Sequence, residues 1–417
     1  MPFKPAFPLT PVLLCLVAGS ARADLAPYSF GASETLSHQS NINHSLDSDR
    51  VADWLSTTEL RAAVDQPLGR DELKANAAVD FNHYRRLHGR NDTGYQLGTE
   101  FDWSLPGDLS GSLGAETRRR QYLYGLNGEG PAGTSANQRN METDNHFYAH
   151  GQIGGESRWT LYGGVDATQR RYSQDIFRGN NERQWAANAG TRYATSPDLS
   201  FGLQGSYVHG DYPNLNETLP TAVGQSFSMR SVDFVTNYTA TGNSKFDGRV
   251  GYTTQTTDLQ DDRHFVNGAL NWTWAPPSHF TVRLGLSRDS DADTGGGLAA
   301  TFNPNGINGR SINDSLNADV TYALTAKVSL DLSGQYVQRK YSHALLPVVK
   351  GQSTPVYADG TNRTSHVYLS AHYQPTRNSD VSCGAGREVR HAGASIAALT
   401  PGYTDNTVQC VAAIDFK

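Results

Sequence analysis

The sequence predicts an all-β fold: a transmembrane antiparallel β-barrel of about 18 strands, with short periplasmic turns and long extracellular loops. Three observations predict it. Polar and apolar residues alternate with a period of two along stretches of roughly 12 to 17 residues. The joins between those stretches are alternately short and long. Beyond the N-terminal segment, no run approaches the about 18 consecutive apolar residues of a spanning helix.

The alternation is clearest in "SLNADVTYALTAKVSLDLSGQYVQ", residues 315–338. Leu316, Ala318, Val320, Tyr322 and Leu324 share one face, with Asn317, Asp319 and Thr321 on the other. After a break at Thr325–Lys327, Val328, Leu330, Leu332 and Tyr336 oppose Ser329, Asp331, Ser333 and Gln335. Successive strand side chains point to opposite faces, so each arm has one greasy and one wet surface. The pattern recurs in "YQLGTEFDWSL", "FTVRLGLS" and "VNGALNWTW".

Short joins rich in Pro, Gly, Asn and Asp fall at 66–72, 105–110, 154–157, 196–200, 241–245, 275–279, 325–327 and 375–379. Longer polar joins fall near 41–52, 87–92, 126–138, 174–181, 211–224, 257–264, 289–312, 342–363 and 391–405. These seventeen joins imply eighteen strands, with both chain ends on the short-turn side. The alternation of the first, "YSFGASETLS", fades at Glu34, so sixteen strands is the alternative. Such strands are far longer than the about 5 to 6 residues usual in soluble domains, and they exceed the about 9 to 11 that cross a bilayer at a tilt. In hydrocarbon every backbone N–H and C=O needs a partner, so a spanning sheet must close on itself. One face of each strand would then meet lipid and the other an aqueous lumen.

The chain opens with Lys4, an apolar core from Val12 to Ala18 and Ala21-Arg22-Ala23, which reads as a signal peptide over 1–23 followed by the barrel over 24–417. Export to the bacterial outer membrane is the expectation. Without Lys4 and Arg22 the chain carries 33 basic and 41 acidic residues, and its mean hydropathy is -0.54, which argues against a nucleic-acid partner. The C-terminal "VQCVAAIDFK" alternates, with Val408, Cys410, Ala412, Ile414 and Phe416 on one face.

The segments "SFGASETLSHQSNINHSLDSD" and "RAAVDQPLGRDELKANAAVDFNHYRRLHGRNDTGYQLGTEFDWSLPGDLSGSLGAE" resemble the EpsL-like group, outer-membrane β-barrel porins found with exopolysaccharide operons. The likeness covers about the first 120 residues: "QSNI" after the first strand, a hairpin through "QPLGRDE", "FNHYRR" leading into a loop, and a "LPGDL" turn. It implies an outer-membrane exit for a secreted polysaccharide, working with a periplasmic polysaccharide export protein. It implies no catalytic residues.

Strand parity sorts the charges. Lys74, Asp80, Glu100, Asp102, Glu116, Arg118, Arg120, Asp166, Arg170, Arg192, Asp233, Asp247, Arg249, Arg283, Asp319 and Asp331 fall on lumen faces. Solvation alone enforces this, since Arg or Lys at mid-membrane on the lipid face costs about 2 to 4 kcal/mol. Collectively such charges set a field along the pore, and their mixed signs predict weak ionic selectivity. Aromatic-basic clusters at 81–86, 118–124, 169–173, 207–212 and 336–342 mark the long-loop rim, where rings form an interfacial girdle and bases meet lipopolysaccharide phosphates. The sharper expectation makes Tyr122, Tyr172 and Tyr341 flat platforms for sugar rings, with Arg118, Arg120 and Arg170 binding carboxylates or hydroxyls.

Cys383 and Cys410 fall on outward faces of the last two strands, either as a disulfide or as two small lipid-facing residues. The 13 histidines show no metal-ligand spacing, and no nucleophile elbow or phosphate loop occurs, so no cofactor and no enzyme activity are expected. Three functions follow in order: a conduit for polysaccharide export, a general or solute-uptake porin, and a hydrolase acting at the rim.

Overall fold

The structure, a computed structural model, describes residues 27–122, 139–155, 157–175, 178, 181–214, 226–258, 260–290, 311–345, 357–397 and 401–416. The expected signal peptide and much of the joins at 126–138, 211–224, 289–312 and 342–363 lie outside the described residues.

Eighteen antiparallel strands form one sheet that closes on itself. They are β1 (Tyr28–Gln39), β2 (Asp53–Leu68), β3 (Asp71–Tyr84), β4 (Asp92–Leu105), β5 (Leu109–Gln121), β6 (Met141–Ile153), β7 (Trp159–Tyr172), β8 (Glu182–Ser196) and β9 (Leu199–Asp211), followed by β10 (Ser226–Thr241), β11 (Ser244–Thr257), β12 (Gln260–Trp274), β13 (Phe280–Ser290), β14 (Ser311–Ala323), β15 (Val328–Leu345), β16 (Tyr357–Thr376), β17 (Ser379–Ala392) and β18 (Tyr403–Phe416). Each strand pairs with its sequence neighbours, and β1 pairs with β18 from Phe30↔Phe416 to Gln39↔Thr407. Closure satisfies the backbone of both terminal strands. At about 4.8 Å between strands and a tilt of roughly 40°, such a sheet encloses a cylinder on the order of 35 Å across.

All eight short joins are turns where the sequence puts them. Gly69 at φ +77° and Gly107 at φ +91° occupy the left-handed region that two of these turns require. One long join is not a loop. β11 and β12 continue through 257–264 to a two-residue connection, with Thr256 Oγ1 donating to Asp262 Oδ1 at 2.8 Å. The hairpin of β15 and β16 likewise runs on to Leu345 and Tyr357. Beyond the bilayer both faces of a strand meet water, so the ladder continues without the alternation that reveals it.

The apolar parity faces outward and is exposed: Val232 is 65 % accessible, Phe147 58 %, Leu161 57 % and Leu203 56 %. An exposed apolar band around the whole barrel has one stable solvent, the acyl interior of a membrane. Aromatic rings line its short-turn edge in contact with one another, Trp159 to Tyr193 at 4.7 Å, Tyr193 to Phe201 at 5.9 Å, Tyr238 to Phe246 at 6.3 Å and Phe280 to Tyr322 at 4.5 Å. Rings at headgroup level mark the interface. This is an outer-membrane β-barrel, with its short turns on the periplasmic side.

β1 is a full member of it, which decides for eighteen strands over sixteen. Glu34 keeps the outward parity of Phe30 and Leu36, and its carboxylate accepts hydrogen bonds from Ser56 and Thr58 on β2.

Candidate functional site

The lumen wall carries the polar parity of every strand, and the sixteen charged positions assigned to it from the sequence all lie on the parity opposite the exposed apolar residues. They form separate networks. On β3 and β4 the Lys74 ammonium lies 2.7 Å from Asp102, 2.8 Å from Glu72 and 3.8 Å from Glu100. On β5 to β7, Arg120 pairs with Glu142 at 2.7 Å, and the buried Arg170 pairs with Asp144 at 2.7 Å. Below them Asp166 accepts from His146 at 3.1 Å and His150 at 3.3 Å, depending on tautomer. On β10 to β13, Arg249 pairs with Asp289 at 2.6 Å and lies 3.9 Å from the buried Asp233, which also accepts from Asn267 at 2.9 Å. Asp331 accepts from Thr321 at 2.5 Å, and Arg283 stands opposite Asp319 in register. Among the described residues Asp80, Glu116, Asp247, Arg118 and Arg192 have no oppositely charged side chain within 4 Å.

Sequence reading missed an ion pair and the lumen residues of one strand. Arg61 holds Asp415 with two bonds of 2.9 Å and Glu59 at 3.0 Å, tying β2 across β1 to β18. Its strand reads "LRAAV", where alanines on both faces blur the parity. β6, "METDNHFYAHGQI", supplies Glu142, Asp144, His146, Tyr148 and His150 to the lumen. Their parity stayed hidden because the outward residues of this strand include Thr143 and Asn145. The signal that could have found it is the single outward ring, Phe147.

The expected sugar platforms need correction. Tyr122 and Tyr172 are 4 % and 8 % accessible and pack edge to face at 5.3 Å, so neither ring is open to a solute. Tyr341 takes bonds from Asn362 at 3.2 Å and Arg339 at 3.4 Å near the outer end. The mid-lumen rings are others. Tyr148, Tyr162 and Tyr368 each stand directly opposite a glycine of the neighbouring strand, Gly114, Gly190 and Gly386. A Cβ on any of these glycines would overlap the facing ring. Each ring therefore lies against the wall. The Tyr148 hydroxyl reaches across β5 to donate to Glu100, and that of Tyr162 reaches across β8 to Gln204 at 3.2 Å. The Arg192 guanidinium sits 5.5 Å from the Tyr162 ring centre.

Beside Tyr162 an open cleft of about 930 Å³ runs along the inner wall, lined among others by His150, Asn188, Arg192, Gln204 and Asp247. Such a wall offers hydrogen-bond donors and acceptors to a hydrated solute passing it.

At the outer mouth two joins pack over the wall. Ile42, Tyr84 and Leu87 form a buried cluster, Asp53 accepts from the backbone N–H of Arg86 and Leu87 at 2.9 Å each, and Asp405 accepts from Asn41 N–H at 2.7 Å while His44 stacks on Tyr403 at 4.4 Å. Opposite them, the lumen-facing Val208, Phe227, Met229 and Phe265 are buried together. The joins 40–52 and 85–91 thus pack on the lumen-facing Leu55 and Tyr84, while most of the loops 289–312 and 342–363 lies outside the described residues. Cys383 and Cys410 stand directly opposite on the outward face of β17 and β18 and form a disulfide.

No family model matches the sequence, and no curated protein is found similar to it. Among solved structures the chain is similar to the outer membrane protein OpdK from Pseudomonas aeruginosa, at 11 % identity and a TM-score of 0.48, over 93 % of this chain and 99 % of that one. It is similar to OccK2 (OpdF) from the same organism, solved in complex with glucuronate, at 10 % identity and a TM-score of 0.48, over 94 % and 96 %. The FrpB iron transporter from Neisseria meningitidis matches at 11 % identity and a TM-score of 0.47 over 87 % of this chain and 62 % of that one, so the chain spans less than two thirds of its length. These likenesses are of barrel architecture.

Proposed function

We propose that this protein is a diffusion channel for small polar solutes across the outer membrane. The observation that carries the reading is the mid-lumen wall. Its aromatic rings are laid flat on glycines, its strong bases are mostly held by carboxylates, and an open cleft of about 930 Å³ bordered by Tyr162, Asn188, Arg192 and Gln204 runs along it. A wall so arranged presents exchangeable hydrogen bonds, with most of its bases already held by carboxylates, and conduction needs binding weak enough to leave. Reconstituted in planar bilayers, the mature protein is expected to give discrete conductance steps, and proteoliposomes are expected to swell in small neutral sugars. A preparation of folded barrel that neither conducts nor supports swelling would overturn the reading.

Polysaccharide export is the second reading, and it rests on the resemblance of residues 29–49 and 61–116 to the EpsL-like group. It carries with it a periplasmic export partner and delivery by the segment 1–23. Loss of secreted polymer on deleting the gene, with other outer-membrane proteins unchanged, would favour it over uptake.

A further inference from the structure

We infer that the outward face of β5 to β8 is a binding site for the phosphorylated headgroup of an outer-leaflet glycolipid. Register places three rows of side chains one above another there. The upper row is Arg119, Thr143 and Arg171, directly opposite one another on β5, β6 and β7. The next is Thr117, Asn145, Gln169 and Arg183, and the one below it is Ala115, Phe147, Ala167 and Trp185. Rows on one face are about 7 Å apart along the strand. Three guanidiniums therefore frame two amides, immediately above a row of small side chains broken by two exposed rings, Phe147 at 58 % and Trp185 at 47 %.

None of Arg119, Arg171 and Arg183 has a carboxylate within 4 Å among the described residues, although Asp211 stands opposite Arg183 in register. On the outward face of β13 to β15, by contrast, Asp314 lies 3.2 Å from Arg288 and 2.9 Å from Lys340. Three like charges held on neighbouring strands at the edge of a low-dielectric band repel one another unless an anion joins them. Guanidinium forks match phosphate oxygens with paired hydrogen bonds. A free anion would use only the arginines, whereas a lipid also covers the alanine row with its acyl chains, and its sugar hydroxyls meet Asn145 and Gln169. The occupant is accordingly a glycolipid carrying phosphate.

The test uses the full-length folded barrel in detergent, with binding of bisphosphorylated lipid A read by native mass spectrometry against its dephosphorylated form. Wild type is expected to retain the phosphorylated lipid at least tenfold better. The combined variant Arg119→Gln, Arg171→Gln and Arg183→Gln should lose that preference, while Arg288→Gln with Lys340→Gln should keep it. Equal retention of the dephosphorylated lipid by wild type overturns the site without reference to any variant. So does an unchanged preference in the triple variant, or displacement of the lipid by inorganic phosphate at the lipid's own concentration.

Discussion

At the scale of single residues, the lumen is kept open by what is missing from certain side chains. Tyr148 fits flat against β5 because position 114 has no Cβ, and its hydroxyl then finds Glu100 one strand further on. A larger residue at 114 would push the ring into the lumen. Gly114→Val is expected to destabilise the barrel by about 1 to 3 kcal/mol, read as a lower urea midpoint in lipid vesicles, and Tyr148→Ala in that background should recover part of the loss. Equal destabilisation with and without Tyr148 would show that the glycine acts through the backbone instead. In the sequence these glycines look like gaps in the polar parity. That an aromatic residue sits opposite each one follows only from register.

At the scale of elements, the last hairpin is stapled on its lipid side. Cys383 and Cys410 are 27 residues apart, and closing a loop of that length is worth about 3.5 kcal/mol in the chain-entropy account of disulfides. Cys383→Ser with Cys410→Ser is therefore expected to lower stability toward urea in oxidising buffer and to match wild type once the wild type is unfolded in reductant. A midpoint unaffected by either treatment would remove the staple from the stability account. The parity of β17 and β18 was enough to bring the two sulfurs to one face, but not to decide whether they bond. The hairpin of β11 and β12 shows the opposite limit: where both faces meet water, polarity ceases to distinguish a strand from a loop, and 257–264 read as a loop although it is ladder.

At the scale of the whole molecule, the charges along the lumen decide what field a solute meets. Lys74 has three carboxylates within 4 Å and Arg61 has two, while Asp80, Glu116 and Asp247 add negative charge with no base within 4 Å among the described residues. Arg118, Arg192 and Arg283 offset this only in part. The expected outcome is a modest preference for cations, measured as a reversal potential under a potassium chloride gradient that shrinks as salt rises and the Debye length falls below the pore radius. A clear preference for chloride would mean that residues beyond the described wall set the field.

The sequence by itself determined the solvent of each face, because a period of two sustained beyond ten residues has few physical causes other than lipid on one side and water on the other. It likewise determined the turns, whose Gly, Pro and Asn residues state a local backbone need. Tertiary structure alone decided which lumen groups touch. Arg61 meets Asp415 only after the sheet has closed through β1, and Arg170 meets Asp144 only in the register that β6 adopts. Alternation fixes which way a side chain points, whereas its partner depends on how far each strand slides along its neighbour. That slide is set by the turns and the closure of the sheet together, so no single stretch of sequence contains it.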